Sequence, residues 1–195
     1  MSLKVVRGRP RSEAVERAII EGVMSLLEEG VSLGDMSIER IARTAGVGKA
    51  TIYRRWKGKE ELFVEVMRVT DEPDQELAGE SVRDDLVVIL EGIRRRGLAK
   101  RSSALLQSLL AQAKSYPQLW ELYHAEVVAR RRARVTEVLR RAVDKGEFRG
   151  DLDLSLMADL FTGPMLARTI LSHDAPLPDG LSETIVDTVI AGLRV

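Results

Sequence analysis

Cysteine is absent from the 195 residues. That excludes a disulfide framework, a thiolate-held metal and a thiol redox couple. There are only two histidines. Neither pairs with a nucleophile or sits at metal-ligand spacing, and no phosphate-cradling loop exists. The sequence therefore offers no catalytic machinery, and neither an enzyme nor a cofactor or metal is expected. Aromatic residues make up 4 %, and convincing alternating strands are missing. No run of eighteen uncharged apolar residues occurs, so no membrane span is predicted. The opening MSLKVVRGRPRS carries charge but no apolar core of signal-peptide length. A cytoplasmic protein is expected. Internal repeats and low-complexity tracts are also lacking.

What is present is ordinary for a globular protein, with 45 % apolar and 31 % charged residues. The length allows one or two domains with a real core. The formal net charge is zero, but it is unevenly spread. Residues 1–59 hold twelve Lys/Arg against seven Asp/Glu, and the remainder holds eighteen against twenty-three. A basic head on an acidic body suits an oriented encounter with nucleic acid.

The whole chain reads as helix. Val15, Ile19, Val23 and Leu26 share one face of a first helix over Ser12–Glu29, with Ser12 as N-cap and Gly30 as stop. Short helices follow over Ser37–Thr44 and Gly48–Arg55, then a fourth over Lys59–Thr70. A loop around Pro73–Glu80 forms a seam. Helices restart at Ser81, whose spacing to Asp84 resembles a capping box, and at Ser102–Lys114. Pro117 opens a long helix reaching Lys145, with Gly146 as its stop. Asp151 or Asp153 opens the next, to Ser172. After the loop His173–Gly180 the last helix covers Leu181–Leu193.

The informative segment is SIERIARTAGVGKATIYRRW, Ser37 to Trp56. Ile38, Ile41 and Ala45 give the first short helix an apolar face. Gly46 stands where a sharp turn needs positive φ. Val47 and Ile52 return the second helix to the core, and Ala42 is small where the helices cross. Two short helices joined by such a turn form a helix-turn-helix, whose second helix enters the DNA major groove. Gly48, Lys49, Ala50 and Thr51 occupy the first turn of that helix, with Tyr53, Arg54 and Arg55 next and Lys57 and Lys59 just beyond. The hydroxyls of Thr51 and Tyr53 and the lysines can bond phosphates, and Arg54 or Arg55 can reach a guanine edge. Free N–H groups near Gly58–Lys59 offer a further phosphate site. Ahead of the first helix, Arg7, Arg9 and Arg11 have the composition of a minor-groove hook. A solvated terminus is the alternative reading of that arm.

Residues 12–63, and IERIARTAGVGKATIYRRWKGKEELF almost continuously, resemble the DNA-binding region of the tetracycline-repressor (TetR) family. The resemblance implies a recognition helix at Gly48–Arg54. It also implies phosphate contacts from Thr51, Tyr53 and Lys59, and base or phosphate contacts from Lys49 and Arg54. Arg54 stands where many members carry His, and Trp56 where Phe is common, which leaves the operator sequence open.

For the rest of the chain the resemblance implies a helical dimer that holds a pocket. The expected fold is all-α, about nine helices. A three-helix helix-turn-helix domain with its arm (1–58) precedes a larger ligand-binding and dimerisation domain (59–195). Pocket candidates are Tyr116, Trp120, Tyr123 and His124 with Met67, Leu106, Leu109 and Met165. A lone histidine is more often a surface or core residue than a ligand contact. The segment DLDLSLMADLFTGPMLARTILSH looks like a family subgroup in which Gly163–Pro164 interrupts a helix. The last two helices would then pack on their copies as a four-helix bundle. Leu156, Leu160, Gly163, Ala167 and Ile170 form one stripe, and Ile185, Val189 and Leu193 another. Such faces must be buried, either in an isologous dimer or in the chain's own core. The runs Arg94–Arg96 and Arg130–Arg134 point in several directions on a helix, and their neighbours Glu91, Glu126 and Glu137 suggest surface pairs.

The function expected is that of a regulator, a repressor that binds a pseudo-palindromic double-stranded operator as a homodimer. A small hydrophobic effector would release it. Control by a protein partner and an activating role stay open as alternatives.

Overall fold

A computed structural model describes residues 9–70, 73–172 and 174–194. Among these residues the fold is all-α, with no strand beyond one isolated bridge between Phe148 and Arg194. The helices are α1 (Arg9–Glu28), α2 (Ile38–Thr44), α3 (Lys49–Tyr53), α4 (Lys59–Thr70), α5 (Val82–Leu98), α6 (Lys100–Gln112), α7 (Pro117–Tyr123), α8 (Ala129–Asp144), α9 (Leu154–Leu166) and α10 (Leu181–Leu193). Two π-helical segments, His124–Val128 and Ala167–Leu171, follow α7 and α9. The chain divides into two compact units: Met1–Thr70 with Ala104–Tyr123, and Asp71–Ser103 with His124–Val195.

The first unit is built around the apolar face of α1. Ile19, Val23 and Leu26 are buried with Ile41 of α2, Ile52 of α3, and Leu62, Phe63 and Val66 of α4. The three-helix core does not close on itself. Leu105, Leu109 and Leu119, from α6 and α7, complete it. The loop after α1 is fastened to the same segment, since the Leu33 N–H donates to the Ser108 hydroxyl at 3.0 Å. Gly22 lets α2 end close against α1: a Cβ there would lie 3.2 Å from the Ala45 backbone nitrogen, a tight contact.

Helix α1 begins three residues before the expected start. Pro10 suits a first turn because its missing N–H would be unpaired there in any case. Ser12 is therefore inside the helix and is not its N-cap. Its hydroxyl serves another purpose, described below.

In the second unit, Leu86 and Leu90 of α5, Leu139 and Ala142 of α8, Met157, Phe161 and Met165 of α9, and Val186 and Ile190 of α10 form the core. Phe148 stacks on Phe161 with ring centroids 6.3 Å apart. The capping oxygens are Ser81, which accepts from the Asp84 N–H at 3.2 Å, and Asp153, which accepts from the Leu156 N–H at 3.0 Å. Gly163–Pro164 does not interrupt α9, as the sequence suggested. The helix runs through both residues and changes pitch only afterwards, in the π-helical Ala167–Leu171. Proline removes one hydrogen bond, and burial of Phe161 and Met165 on either side outweighs that loss. The long helix expected over 117–145 likewise contains a π-helical segment, His124–Val128, before α8.

Ile185 and Leu193 are buried within the protomer, in this core. Of the two coverings open for this stripe, the protomer's own core provides one for these two residues, which pack with α5 and α9. Val189 is partly buried on the same cluster. Leu156, 49 % exposed, and Leu160, 42 % exposed, remain outside with Ala167, while Gly163 and Ile170 are half-buried.

The arginine runs are paired within the unit. Arg94, nearly buried, donates to Glu91 and to Asp179, each at 2.8 Å. Arg96, Arg131 and Arg134 converge on Asp74 at 3.2, 3.7 and 3.4 Å. Arg132 pairs with Asp159 at 2.7 Å. The partners differ from those expected in part, because Glu137 bonds Arg140 one turn on. The acid that gathers three arginines is nearly buried, so this cluster is more than a set of surface pairs.

Candidate nucleic-acid interface

Helix α2 is capped by the Ser37 hydroxyl, which accepts from the Arg40 N–H at 3.2 Å. It ends on Gly46, at φ 67°. The Val47 N–H reaches back to the Ala42 carbonyl at 2.9 Å, and the Gly46 N–H to that of Arg43 at 3.2 Å. These two bonds are the Schellman arrangement, which requires a left-handed residue at this position. The chain then enters α3 through Gly48, an N-cap in extended conformation.

Helix α3 spans only five residues and is anchored by one of them. Ile52 is 0 % exposed. Lys49, Ala50, Tyr53 and Arg54 are exposed, and Thr51 is half-buried. Tyr53 holds its ring 55 % in solvent. A large aromatic residue gains nothing from that position in the free protein, whereas its hydroxyl is well placed for a phosphate. Trp56 is buried directly behind α3 and closes the core where the helix ends.

Three of the expected cationic contacts already have partners in the protein. Lys49 bonds Glu39 of α2. That hydrogen bond is the main reason the Glu39 carboxyl titrates below its ordinary range. Arg55 is half-buried and works as a strut. It donates to the Ser12 hydroxyl at 3.1 Å, to the Ser12 carbonyl at 3.3 Å and to the Thr51 carbonyl at 3.3 Å, tying α3 to α1. Its guanidinium is thereby engaged by three acceptors of the protein itself. Lys59 donates to the Tyr116 hydroxyl at 2.9 Å and lies 4.5 Å from the centre of that ring. Lys57 is exposed, but its backbone N–H donates to Glu61 at 2.6 Å. A carboxylate thus already occupies part of the N–H cluster expected to take a phosphate at Gly58–Lys59.

Arg7 lies outside the described residues. Arg9 and Arg11 belong to the first turn of α1, so the arm that could precede a helix is shorter than expected. Sequence reasoning missed Glu39 and Ser12 as members of the site. Glu39 was readable in part, as an acid on α2; Ser12 was not, because its partner is 43 residues away.

The pocket candidates fall in both compact units. Met67 and Leu109 are buried and Leu106, Tyr116, Trp120 and Tyr123 half-buried in the first unit. Trp120 and Tyr123 hold their rings 6.0 Å apart. In the second unit Met165 is fully buried core and His124 is exposed. No described helix is long and apolar enough to cross a membrane.

Comparison with known proteins agrees with this geometry. Residues 26–66 match the model of the bacterial regulatory proteins of the tetR family, and residues 78–189 that of the tetracyclin repressor-like C-terminal domain. The chain is 30 % identical over 171 residues to the uncharacterized HTH-type transcriptional regulator YdeS of Bacillus subtilis, covering 86 % of this chain and 84 % of that one. It is 27 % identical over 188 residues to a DNA-binding transcriptional repressor TetR of Mycobacteroides abscessus, covering 95 % of both. Among solved structures, a flavonoid-responsive regulator, FrrA, shares the fold with a TM-score of 0.68 at 21 % identity, over 91 % of this chain and 94 % of that one. The family consists of DNA-binding regulators and not of enzymes. With its exposed α3 seated on Ile52 behind a Gly46 turn, the chain belongs to the tetR family of bacterial regulatory proteins and is a helix-turn-helix DNA-binding transcriptional regulator.

Proposed function

We propose that this regulator is a cytoplasmic repressor that binds a pseudo-palindromic operator as a homodimer and leaves it when a small apolar molecule binds. The observation that carries the reading is that α3 buries a single side chain. With only Ile52 turned inward, Lys49, Ala50, Tyr53 and Arg54 are left to meet the major groove. Lys49 and Arg54 read bases or phosphates, while Thr51, Tyr53, Lys57 and Lys59 hold the backbone. Residues 1–58, with Lys59 just beyond them, supply the DNA contacts, including Arg7 in the adjacent minor groove. Residues 59–195 supply the effector site and the subunit contact.

Exposed Leu156, Leu160 and Leu166 on α9, beside Gly163 and Ala167, support dimerisation, because a lone protomer leaves this apolar stripe in water. Two recognition helices roughly 34–36 Å apart then read adjacent turns of DNA. The relative named a repressor supports the sign of regulation. The neighbour named flavonoid-responsive supports an aromatic effector for a chain whose candidate pocket side chains are largely apolar or aromatic. Selecting bound genomic fragments with purified protein tests the reading. An inverted repeat with half-sites about ten base pairs apart is the expected result, whereas no enrichment of any duplex at low salt would sink it.

A further inference from the structure

Lys59 stands apart from the other cations of the interface in what holds it. Lys49 is bound by a carboxylate, and Arg55 is spent on a hydroxyl and two carbonyls. Lys59 rests on a neutral phenol. Its ammonium donates one hydrogen bond to the Tyr116 hydroxyl at 2.9 Å and lies 4.5 Å from the ring centre. Neither contact cancels its charge, and two of its three protons remain for other acceptors. The ring face adds a cation–π attraction that orients the ammonium without neutralising it.

Tyr116 is itself well fixed. Its N–H donates to the Gln112 carbonyl at 2.9 Å, and its own carbonyl accepts from Trp120 at 3.2 Å, across the turn between α6 and α7. Its ring packs on the core that carries α3 and α4. The next residue, Pro117, restricts the backbone further. Against this platform the flexible lysine stem loses its freedom before any DNA arrives.

We propose that Tyr116 is a positioning residue for DNA binding, holding the Lys59 ammonium at the start of α4 for a backbone phosphate without pairing it to an acid. The proposal rests on the reading of Lys59 as a phosphate contact, and it adds a residue 57 positions away that no base or phosphate need touch. An unanchored lysine has to surrender its rotamer freedom on binding, so loss of the platform weakens association by roughly three- to tenfold.

The test uses the full chain, with Tyr116→Phe, Tyr116→Ala, Lys59→Ala and both double variants. Each is titrated against a fluorescent mixed-sequence duplex of about 40 base pairs over a range of salt. Lys59→Ala should weaken binding and flatten the salt dependence by about 0.9 units, the value of one lost phosphate contact. Tyr116→Ala should weaken binding about three- to tenfold with the slope unchanged, and Tyr116→Phe about twofold, because the ring stays. Both tyrosine effects should vanish when Lys59 is already alanine. Tyr116→Phe keeps the core packing, so it remains informative should Tyr116→Ala fold poorly. If Lys59→Ala weakens binding but Tyr116→Phe and Tyr116→Ala change nothing, or act equally in both backgrounds, the positioning role is refuted while the phosphate contact stands. If Lys59→Ala itself leaves affinity and slope unchanged, the phosphate contact fails and the inference falls with it.

Discussion

Glu39 puts a negative charge against the recognition helix, and removing that charge should make the protein bind DNA more tightly. Its carboxylate holds Lys49, the first residue of α3, in an exposed pair whose side chains are 62 % and 53 % in solvent. As α3 enters a groove, either the pair parts or an acid is carried toward the phosphates within one Debye length, about 8–10 Å. Both outcomes oppose binding. Glu39→Gln removes the charge, leaves the Ser37 cap intact, and frees Lys49 to release one more counterion. The slope of log affinity against log salt should steepen by up to about 0.9. Over a fourfold change in salt, from 50 to 200 mM, that slope corresponds to about 3.5-fold. The variant should therefore bind duplex DNA several-fold more tightly at 50 mM salt and lose about 3.5-fold of that lead by 200 mM. Fluorescence anisotropy at five salt concentrations measures both quantities. Unfolding should be little affected, since an exposed pair contributes little to stability. Unchanged affinity with an unchanged slope would mean that Lys49 meets no phosphate and that Glu39 lies too far from the duplex to oppose it.

Ile52→Ala should cost about 2–5 kcal/mol in the first unit and abolish DNA binding, while Ile52→Leu should retain most of both; thermal melts beside DNA titrations decide this. Leu160→Arg should convert a dimer to a monomer in sedimentation velocity at about 10 µM and barely move the melting temperature, because Leu160 is largely exposed; a dimer that survives would place the interface elsewhere. Glu91, Asp159 and Asp187 are each held below their ordinary values of 4.5, 3.8 and 3.8, chiefly by hydrogen bonds from Arg94, Arg132 and Arg83. A depressed carboxylate adds stability above its unfolded pKa and loses it as pH falls through the folded one. Melting of the second unit should thus hold level from pH 7 to about 4.5 and decline below that, and a decline already complete at pH 5 would contradict these pairings.

The helix-turn-helix was legible because its determinants are local. Gly46 needs positive φ whatever surrounds it, and Ile41 and Ile52 must face one core for two short helices to stand at all. The site was less legible where partners come from far along the chain. Arg55 meets Ser12 across 43 residues and Lys59 meets Tyr116 across 57, and no spacing rule links either pair. An arginine beside a recognition helix looks like a DNA contact until its acceptors are known. The stripes on α9 and α10 show the same limit. Periodicity marks Leu156, Leu160, Ile185 and Leu193 alike as apolar, yet the first two are exposed and the last two are buried. A sequence pattern says that a face must be covered and leaves open what covers it.

The length of α3 bears on how such a regulator can be switched. Five residues are far below the twelve to fifteen at which an isolated helix becomes even marginal, so its conformation is imposed by packing. What imposes it is the core of the first unit: Ile52 and Trp56 inside, the Arg55 strut to α1, and the Gly46 turn. That core is completed by Leu105, Leu109 and Leu119. Burial of three leucines contributes about 5–9 kcal/mol. A coupling of only about 1–3 kcal/mol between effector and DNA would release an operator five- to over a hundredfold. A partial loosening of α6 and α7 therefore exceeds what switching demands, and it would reach α3 and Lys59 through the packing that gives them their shape. On this argument a fragment ending at Thr70 should lose α3 as a defined helix, because it lacks both the leucines and the Ser108 hydroxyl that fixes the loop after α1. Such a fragment that bound DNA as tightly as one protomer of the full chain would show that the recognition helix is held by α1, α2 and α4 alone.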